Sequence, residues 1–326
     1  MSKKALLIGI DEYPSNSLPC CVKDAKEMAA LLERNDDNKR NFDCRVECNV
    51  GTARELKEMA SELFLGEGDT ALFYYSGHGA QDKWGSYLVP AKTTYTTASY
   101  FSFDDLLKMV NASKFRDKIV ILDCCFAGAA GNISAISGTS GAIQIANGVT
   151  LMTACRSYET AACSNNGSVF TRLLLEGLRG SAADVLGRIT TAGIYAYIDK
   201  ALGAWEQRPM YKANVSRFNV IRQVHEAVEI EILREMAYYF KSEDDLIELD
   251  PSFEWTNDPK VKHVRKQPYA DPKKVELFKK LQKLSYNGLV VPVGASCMYD
   301  AAMQGQLCRL TELGKQYWRF AKKGSF

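Results

Sequence analysis

The chain has only three histidines in 326 residues, and none of its ten cysteines falls in a C-x-x-C pair. A structural zinc centre takes four ligands from clustered Cys and His, so no such centre is expected here. Long apolar runs are missing too. No stretch reaches the ~20 residues that a membrane helix requires. The run in MSKKALLIGI is too short, and its flank too poor in small residues, for a secretory signal. A cytoplasmic location is the expectation. Neither sign of charge is in excess, with 41 Lys and Arg against 39 Asp and Glu, so bulk charge selects neither nucleic acid nor membrane as partner. In a reducing compartment the cysteines are expected to be free thiols, most of them small buried apolar residues.

What the sequence does have is alternation. Short apolar runs stand at 5–10 (ALLIGI), 44–50 (CRVECNV), 71–76 (ALFYYS), 87–90 (YLVP), 118–123 (KIVILD), 148–154 (GVTLMTA) and 216–221 (SRFNVI). Helix-period segments lie between them near 21–33, 52–64, 104–111, 168–179 and 190–202. Continuous apolar strands separated by helices predict an α/β fold, a mostly parallel sheet sandwiched by helices. In such sheets the functional loops gather at the carboxyl ends of the strands.

The texture changes at His225. Residues 225–260 read as a helical and acidic linker, with Glu243, Asp244, Asp245, Glu248, Asp250, Glu254 and Asp258. The following PKVKHVRKQPYADPKKVELFKKLQKL carries nine Lys or Arg against two acids, and the acidic run can pair with it inside the molecule. Residues 261–326 then give a helix at 273–285, an extended GLVVPV, a short extended CRL and a helix opening at a Thr cap in TELGKQYWRFAKK. Helix, hairpin, helix predicts a small α+β winged-helix-like module. Tyr317, Trp318 and Phe320 are expected to pack its core rather than stack on bases.

Two strands end in residues unusual for that place: ALFYYS runs into Gly77, His78 and Gly79, and KIVILD into Cys124 and Cys125. Both ends should fall on one edge of a parallel sheet. A histidine between glycines can project into a cleft, and a thiol held near it can be activated as a nucleophile. Each residue alone also reads as structure, His78 as a loop histidine and either cysteine as core filling.

The segments FYYSGHGAQ and VILDCCFAG resemble the histidine and cysteine motifs of the caspase-like cysteine peptidases, family C14, in the metacaspase and bacterial orthocaspase branch. ALLIGIDEY, LPCCVKDAKEM, SVFTRLLLEGLRG and QRPMY extend the resemblance, in order, over residues 4 to 222. His78 precedes Cys125 by 47 residues, close to the caspase spacing of about 50. The resemblance implies a caspase-like peptidase domain over 1–224. It makes Cys125 the nucleophile and His78 the base, with the backbone N–H groups of Gly79 and Cys125 as oxyanion donors. Alternation along an extended segment agrees, since Asp123 and Cys125 share a face while Cys124 points away. Asp24 and Asp123 would line the pocket for the residue before the cut. Two carboxylates there favour Arg or Lys and reject the acidic residue that true caspases take. Read without the resemblance, Asp24 is a helix first-turn acid and Asp123 a turn cap.

The sequence departs from that pattern in places. Metacaspases commonly need calcium, for which Asp104 and Asp105 are weak candidate ligands, while Ala91 and Asn132 stand where acids are expected. Two carboxylates make a poor site for a cation that takes six to eight oxygens, so no cofactor is expected. Phe126 replaces a hydrophilic residue after the nucleophile. The stretch 127–155 holds no Lys or Arg, so self-cleavage there is not expected. The expected partners are protein or peptide substrates with a basic residue before the cut, and an activating protein bound through the C-terminal module in a stress or defence pathway. Nucleic acid is not expected. The alternatives are a caspase-fold pseudoenzyme or scaffold, and a nucleic-acid-binding regulator acting through that module.

Overall fold

The computed structural model describes residues 2–82, 84–93, 96, 99–124, 144–154, 168–202, 209–217, 219–260 and 265–326. The chain divides into two units, Met1–His225 and Glu226–Phe326.

In the first unit the elements follow as β1 (Lys3–Gly9), α1 (Cys21–Leu32), β2 (Asp43–Cys48), α2 (Ala53–Leu65), β3 (Thr70–Ser76), β4 (Gly79–Asp82), β5 (Gly85–Leu88), β6 (Phe101–Ser102), α3 (Phe103–Ala112) and β7 (Asp117–Asp123). Then come β8 (Val149–Thr153), α4 (Val169–Glu176), β9 (Arg188–Thr190), α5 (Thr191–Ala201), β10 (Met210–Asn214) and β11 (Val220–Gln223). The main sheet has the order β10-β8-β7-β3-β1-β2, parallel throughout except for β10, which runs antiparallel to β8.

Period-two alternation sorts the apolar residues of each buried strand onto two faces. Leu6, Ile8, Phe73, Tyr75, Val120 and Leu122 pack with α2 and α3; Ala5, Leu7, Leu72, Tyr74, Ile119 and Ile121 pack with α1, α4 and α5. That is why these runs read as continuously apolar. Helix α2 begins in a capping box, Thr52 accepting from the Glu55 N–H and Glu55 from the Thr52 N–H. Such a cap typically contributes about 1 kcal/mol.

Three differences from the sequence reading have physical causes. The strand expected at 216–221 is β11, which pairs with β9 outside the main sheet, and the sheet's last strand is Met210–Asn214. MYKAN lacks an apolar run because an edge strand half exposed to solvent needs none. The strand in YLVP belongs to a separate sheet of order β4-β5-β6. Among the cysteines, Cys21, Cys44, Cys48, Cys124, Cys297 and Cys308 are free, but Cys20 is disulfide-bonded, a pairing that depends on tertiary contact and not on spacing.

The second unit contains α6 (Ile230–Tyr239), β12 (Leu246–Glu248), α7 (Pro272–Tyr286), β13 (Val290–Val293), α8 (Met298–Met303), β14 (Leu307–Leu310) and α9 (Glu312–Lys322). Its antiparallel sheet has the order β12-β14-β13, with α8 inserted between the two hairpin strands. The acidic and basic stretches meet within the unit through Lys274–Asp250, and the last helix adds Lys315–Asp244 and Arg319–Glu243. Tyr317 is buried, and the Trp318 indole donates to the Phe240 carbonyl. No helix among the described residues is long and apolar enough to cross a membrane.

Candidate functional site

Three adjacent strand ends build the site. In register, Gly9 of β1 lies opposite Ser76 of β3, and Ser76 opposite Asp123 of β7. The Gly77 N–H donates to the Asp123 carbonyl at 3.3 Å, so the chain leaving β3 toward His78 and the chain leaving β7 toward Cys124 depart side by side. Cys124 is fully buried on the α2 and α3 face, while Asp123 belongs to the opposite face, as strand alternation requires. Cys125, Phe126 and Asn132 lie outside the described residues.

His78 is half-buried and held from several sides. Its N–H donates to the Tyr13 hydroxyl at 2.9 Å, its carbonyl accepts from the Tyr75 hydroxyl at 2.8 Å, and its ring centroid lies 4.4 Å from that of Tyr13. Its Nε2 is 2.6 Å from the Asn16 carbonyl. A carbonyl only accepts, so this contact places the proton of neutral His78 on Nε2 and leaves Nδ1 as the basic nitrogen. Gly77 is a position where only glycine fits, since a Cβ there would stand 2.6 Å from the Tyr13 hydroxyl and 2.7 Å from that of Tyr75. Gly79 opens β4 and pairs with Leu88, turning the chain away behind the histidine.

The acids come from the opposite face of the sheet. Helix α1 has no side-chain cap from its own N-cap residue Cys20; Asp11 supplies it, its Oδ1 accepting from the Cys21 N–H at 2.7 Å and the Val22 N–H at 3.2 Å. Gly9 lets β1 approach this turn closely. Asp24, in the first turn of α1, is buried and its Oδ2 accepts from the Ser168 N–H at 3.2 Å. Burial, with a further contribution from the charge of Asp123, pushes the Asp24 carboxyl up to about 7. Asp123 is buried as well, and its Oδ2 accepts from the Thr171 hydroxyl at 2.7 Å. Burial pushes the Cys21 thiol up to about 12, so it stays protonated at neutral pH.

The candidate cation ligands have other company. The Asp105 carboxylate is 2.8 Å from Lys57 Nζ and 3.6 Å from Lys108 Nζ, and the bond from Lys57 holds its carboxyl below the ordinary range. Ala91 is buried, its N–H bonded to the Val50 carbonyl. No group of three or more His, Cys, Asp or Glu gathers as a metal site would require, among the described residues.

The site thus joins an imidazole with a defined basic nitrogen, a strand end that continues toward Cys125, and two buried carboxylates on neighbouring elements. Tyr13, Asn16, Asp11 and Thr171 are the supports that reading the sequence missed. The signal available for Tyr13 and Asp11 was the polar and aromatic DEY directly after an apolar strand, where a loop at the functional edge is expected.

The profile of the peptidase C14 caspase domain matches residues 2–218. In structure the chain is similar to a Geobacter sulfurreducens protein of known crystal structure, with 16% identity and a TM-score of 0.50 over 69% of this chain and 98% of that one. Caspase-1 from Spodoptera frugiperda shows 16% identity and a TM-score of 0.49, over 68% of this chain and 91% of that one. No curated protein matches the sequence.

Proposed function

The chain belongs to the caspase family of cysteine peptidases, and from that premise we propose that it is a cysteine endopeptidase of the metacaspase and orthocaspase branch, cutting after arginine or lysine. The observation that carries this reading is the paired departure of two strands, β3 into His78 and β7 into Asp123 and Cys124, joined by the Gly77 to Asp123 backbone bond.

In this reading the Cys125 thiolate attacks the carbonyl carbon of the scissile peptide, and the N–H groups of Gly79 and Cys125 receive the oxyanion. His78 passes its proton to the leaving amine. Water, deprotonated by the same imidazole, then cleaves the thioester and frees the thiol. Nδ1 is the atom that exchanges the proton, because Nε2–H is engaged by Asn16. Asp24 and Asp123 set the preference, two carboxylates favouring a guanidinium or ammonium group and repelling an acidic side chain.

The second unit is the module that receives an activating protein in a stress or defence setting. Pairing of its charges supports a protein partner over nucleic acid. On α7, Lys274 meets Asp250, Lys280 meets Glu235 and Lys283 meets Glu229. Lysines already answered by carboxylates have less to offer phosphates.

A panel of peptides with Arg, Lys or Asp before the cut, assayed with wild type, Cys125→Ala and Cys124→Ala, tests the reading. Hydrolysis after Arg and Lys is expected, lost in Cys125→Ala and kept in Cys124→Ala. No Cys125-dependent hydrolysis, with or without candidate activators, would leave a caspase-fold scaffold as the function.

A further inference from the structure

A relay of hydroxyl groups runs from the core to one of the two carboxylates. Thr171 Oγ1 donates to Asp123 Oδ2 at 2.7 Å, and the Tyr74 hydroxyl lies 2.7 Å from the same Thr171 oxygen. Tyr74 and Thr171 are fully buried, and Asp123 is 1% exposed. An ionised carboxylate only accepts, so the Thr171 proton goes to Asp123 and the Tyr74 hydroxyl must donate to Thr171. The relay therefore has one direction, from β3 through α4 to the end of β7.

Its position separates it from the histidine. Tyr74 belongs to the face covered by α1, α4 and α5, whereas Tyr13 and Tyr75, which hold His78, belong to the other face. Thr171 is the third residue of α4, in its first turn, where no earlier turn of the helix offers a carbonyl to its hydroxyl. The hydroxyl crosses to another element. Threonine is stiff at χ1, so the direction of this donor is set by the helix that carries it.

We infer that Thr171, backed by Tyr74, is a positioning residue for substrate selection, holding the Asp123 carboxylate in the orientation that meets a basic side chain. The inference rests on the pocket reading of Asp123 given above. The titratable groups that interact with Asp123 include Cys21 and Asp24 on α1 and Tyr74 on β3. Burial pushes the thiol up and holds the phenol well above its ordinary value, so both stay protonated at neutral pH. The Thr171 hydroxyl is the donor that fixes Oδ2, and a hydrogen bond to a carboxylate is directional as well as strong.

Thr171→Val removes the hydroxyl at nearly constant volume, Thr171→Ser restores it without the methyl, and Tyr74→Phe cuts only the outer link. The first readout is the carboxyl-carbon NMR shift of Asp123 at neutral pH in the full chain labelled at aspartate, with the signal assigned through Asp123→Asn. Thr171→Val is expected to displace that signal, which reports the hydrogen bond accepted by the carboxylate, and Thr171→Ser to return it. The second readout is kinetic. KM for Arg peptides should rise about tenfold in Thr171→Val with kcat nearly kept, and fall back in Thr171→Ser. Alkylation of Cys125 by iodoacetamide, which reads the thiol and imidazole alone, should not change. An Asp123 signal that stays in place in folded Thr171→Val overturns the inference whatever the enzyme cleaves. A displaced signal in a chain whose wild type shows no Cys125-dependent cleavage overturns the functional reading instead. If Thr171→Val does not fold, Tyr74→Phe should show the same displacement at smaller size, and its absence is equally decisive.

Discussion

The Nε2 atom of His78 meets the carbonyl oxygen of Asn16 at 2.6 Å, and Asn16 presents that oxygen from a left-handed backbone at φ +57°. Asparagine and glycine accept this conformation, while a β-branched residue is strained in it. We predict that Asn16→Gly keeps kcat within about twofold and that Asn16→Val lowers it about tenfold, the strain of 1–2 kcal/mol being enough to displace the carbonyl. Steady-state kinetics on Arg peptides checks this, and equal activities would separate the carbonyl from the imidazole's function.

Tyr13 contributes a ring against the imidazole and an acceptor for the His78 N–H. Tyr13→Phe keeps the ring and leaves that donor without its acceptor, at a cost of about 1–3 kcal/mol. The expected result is a kcat reduced about tenfold or more with KM little changed, and slower alkylation of Cys125 at neutral pH. A fall confined to KM would place Tyr13 in substrate binding.

Gly9 lies against the first turn of α1, where an added Cβ would stand 2.3 Å from the Cys21 carbonyl oxygen and 2.7 Å from the Val22 Cα. Backbone atoms cannot move aside as a flexible side chain can. Gly9→Ala should therefore destabilise the first unit by about 1–3 kcal/mol, lowering its Tm by about 5 °C in calorimetry. It should also raise KM for Arg peptides, because the displaced turn carries Asp24.

The pH dependence follows from Asp24. Its carboxyl is raised in the folded chain from 3.8 to about 7, so between these values the folded state binds a proton that the unfolded state has released. Stability then falls as pH rises through this window, and the loss is complete above about 7. Asp24→Asn should raise Tm at about pH 8 and leave it unchanged at about pH 3.5. A basic substrate needs the ionised form, so kcat/KM for Arg peptides should climb with pH through about 7 in wild type and lose that limb in Asp24→Asn. A wild-type profile flat across this range would remove Asp24 from the binding pocket.

The stretch 127–155 offers no Lys or Arg, and Arg116 and Lys118 border or lie within β7, with Lys118 buried. Activity without chain cleavage is the expected behaviour. Wild type and Cys125→Ala incubated under assay conditions should show the same intact mass by mass spectrometry. A wild-type chain cut into two pieces would mean that a site outside this stretch is open to the enzyme.

Local pattern made some of this legible and hid the rest. The strands β1, β3, β7 and β8 could be read from continuous apolar runs because a central parallel strand is buried on both faces. The last sheet strand could not, since MYKAN at the edge carries polar residues. The tail's opposite charges were visible as neighbouring blocks, and their meeting in Lys274–Asp250 needed only a short fold-back, whereas Arg319 of the last helix reaches Glu243 across 76 positions. The disulfide at Cys20 was not visible, because spacing along the chain carries no information about which sulfur approaches it in space.

By itself the sequence determined the layer order of the first unit, the alternation that sends Asp123 and Cys124 to opposite faces, and the residue types at two strand ends. Those properties are local, resting on hydrophobic periodicity and on the two-residue repeat of an extended chain. The tertiary structure alone decided that Asn16 and Tyr13 hold His78, that Asp11 caps a helix starting ten residues later, and that Thr171 reaches Asp123 across 48 positions. Each of these is a hydrogen bond between groups distant in sequence. Its partner is chosen by which buried donor must find an acceptor once the strands and helices have packed, and no local pattern records that choice.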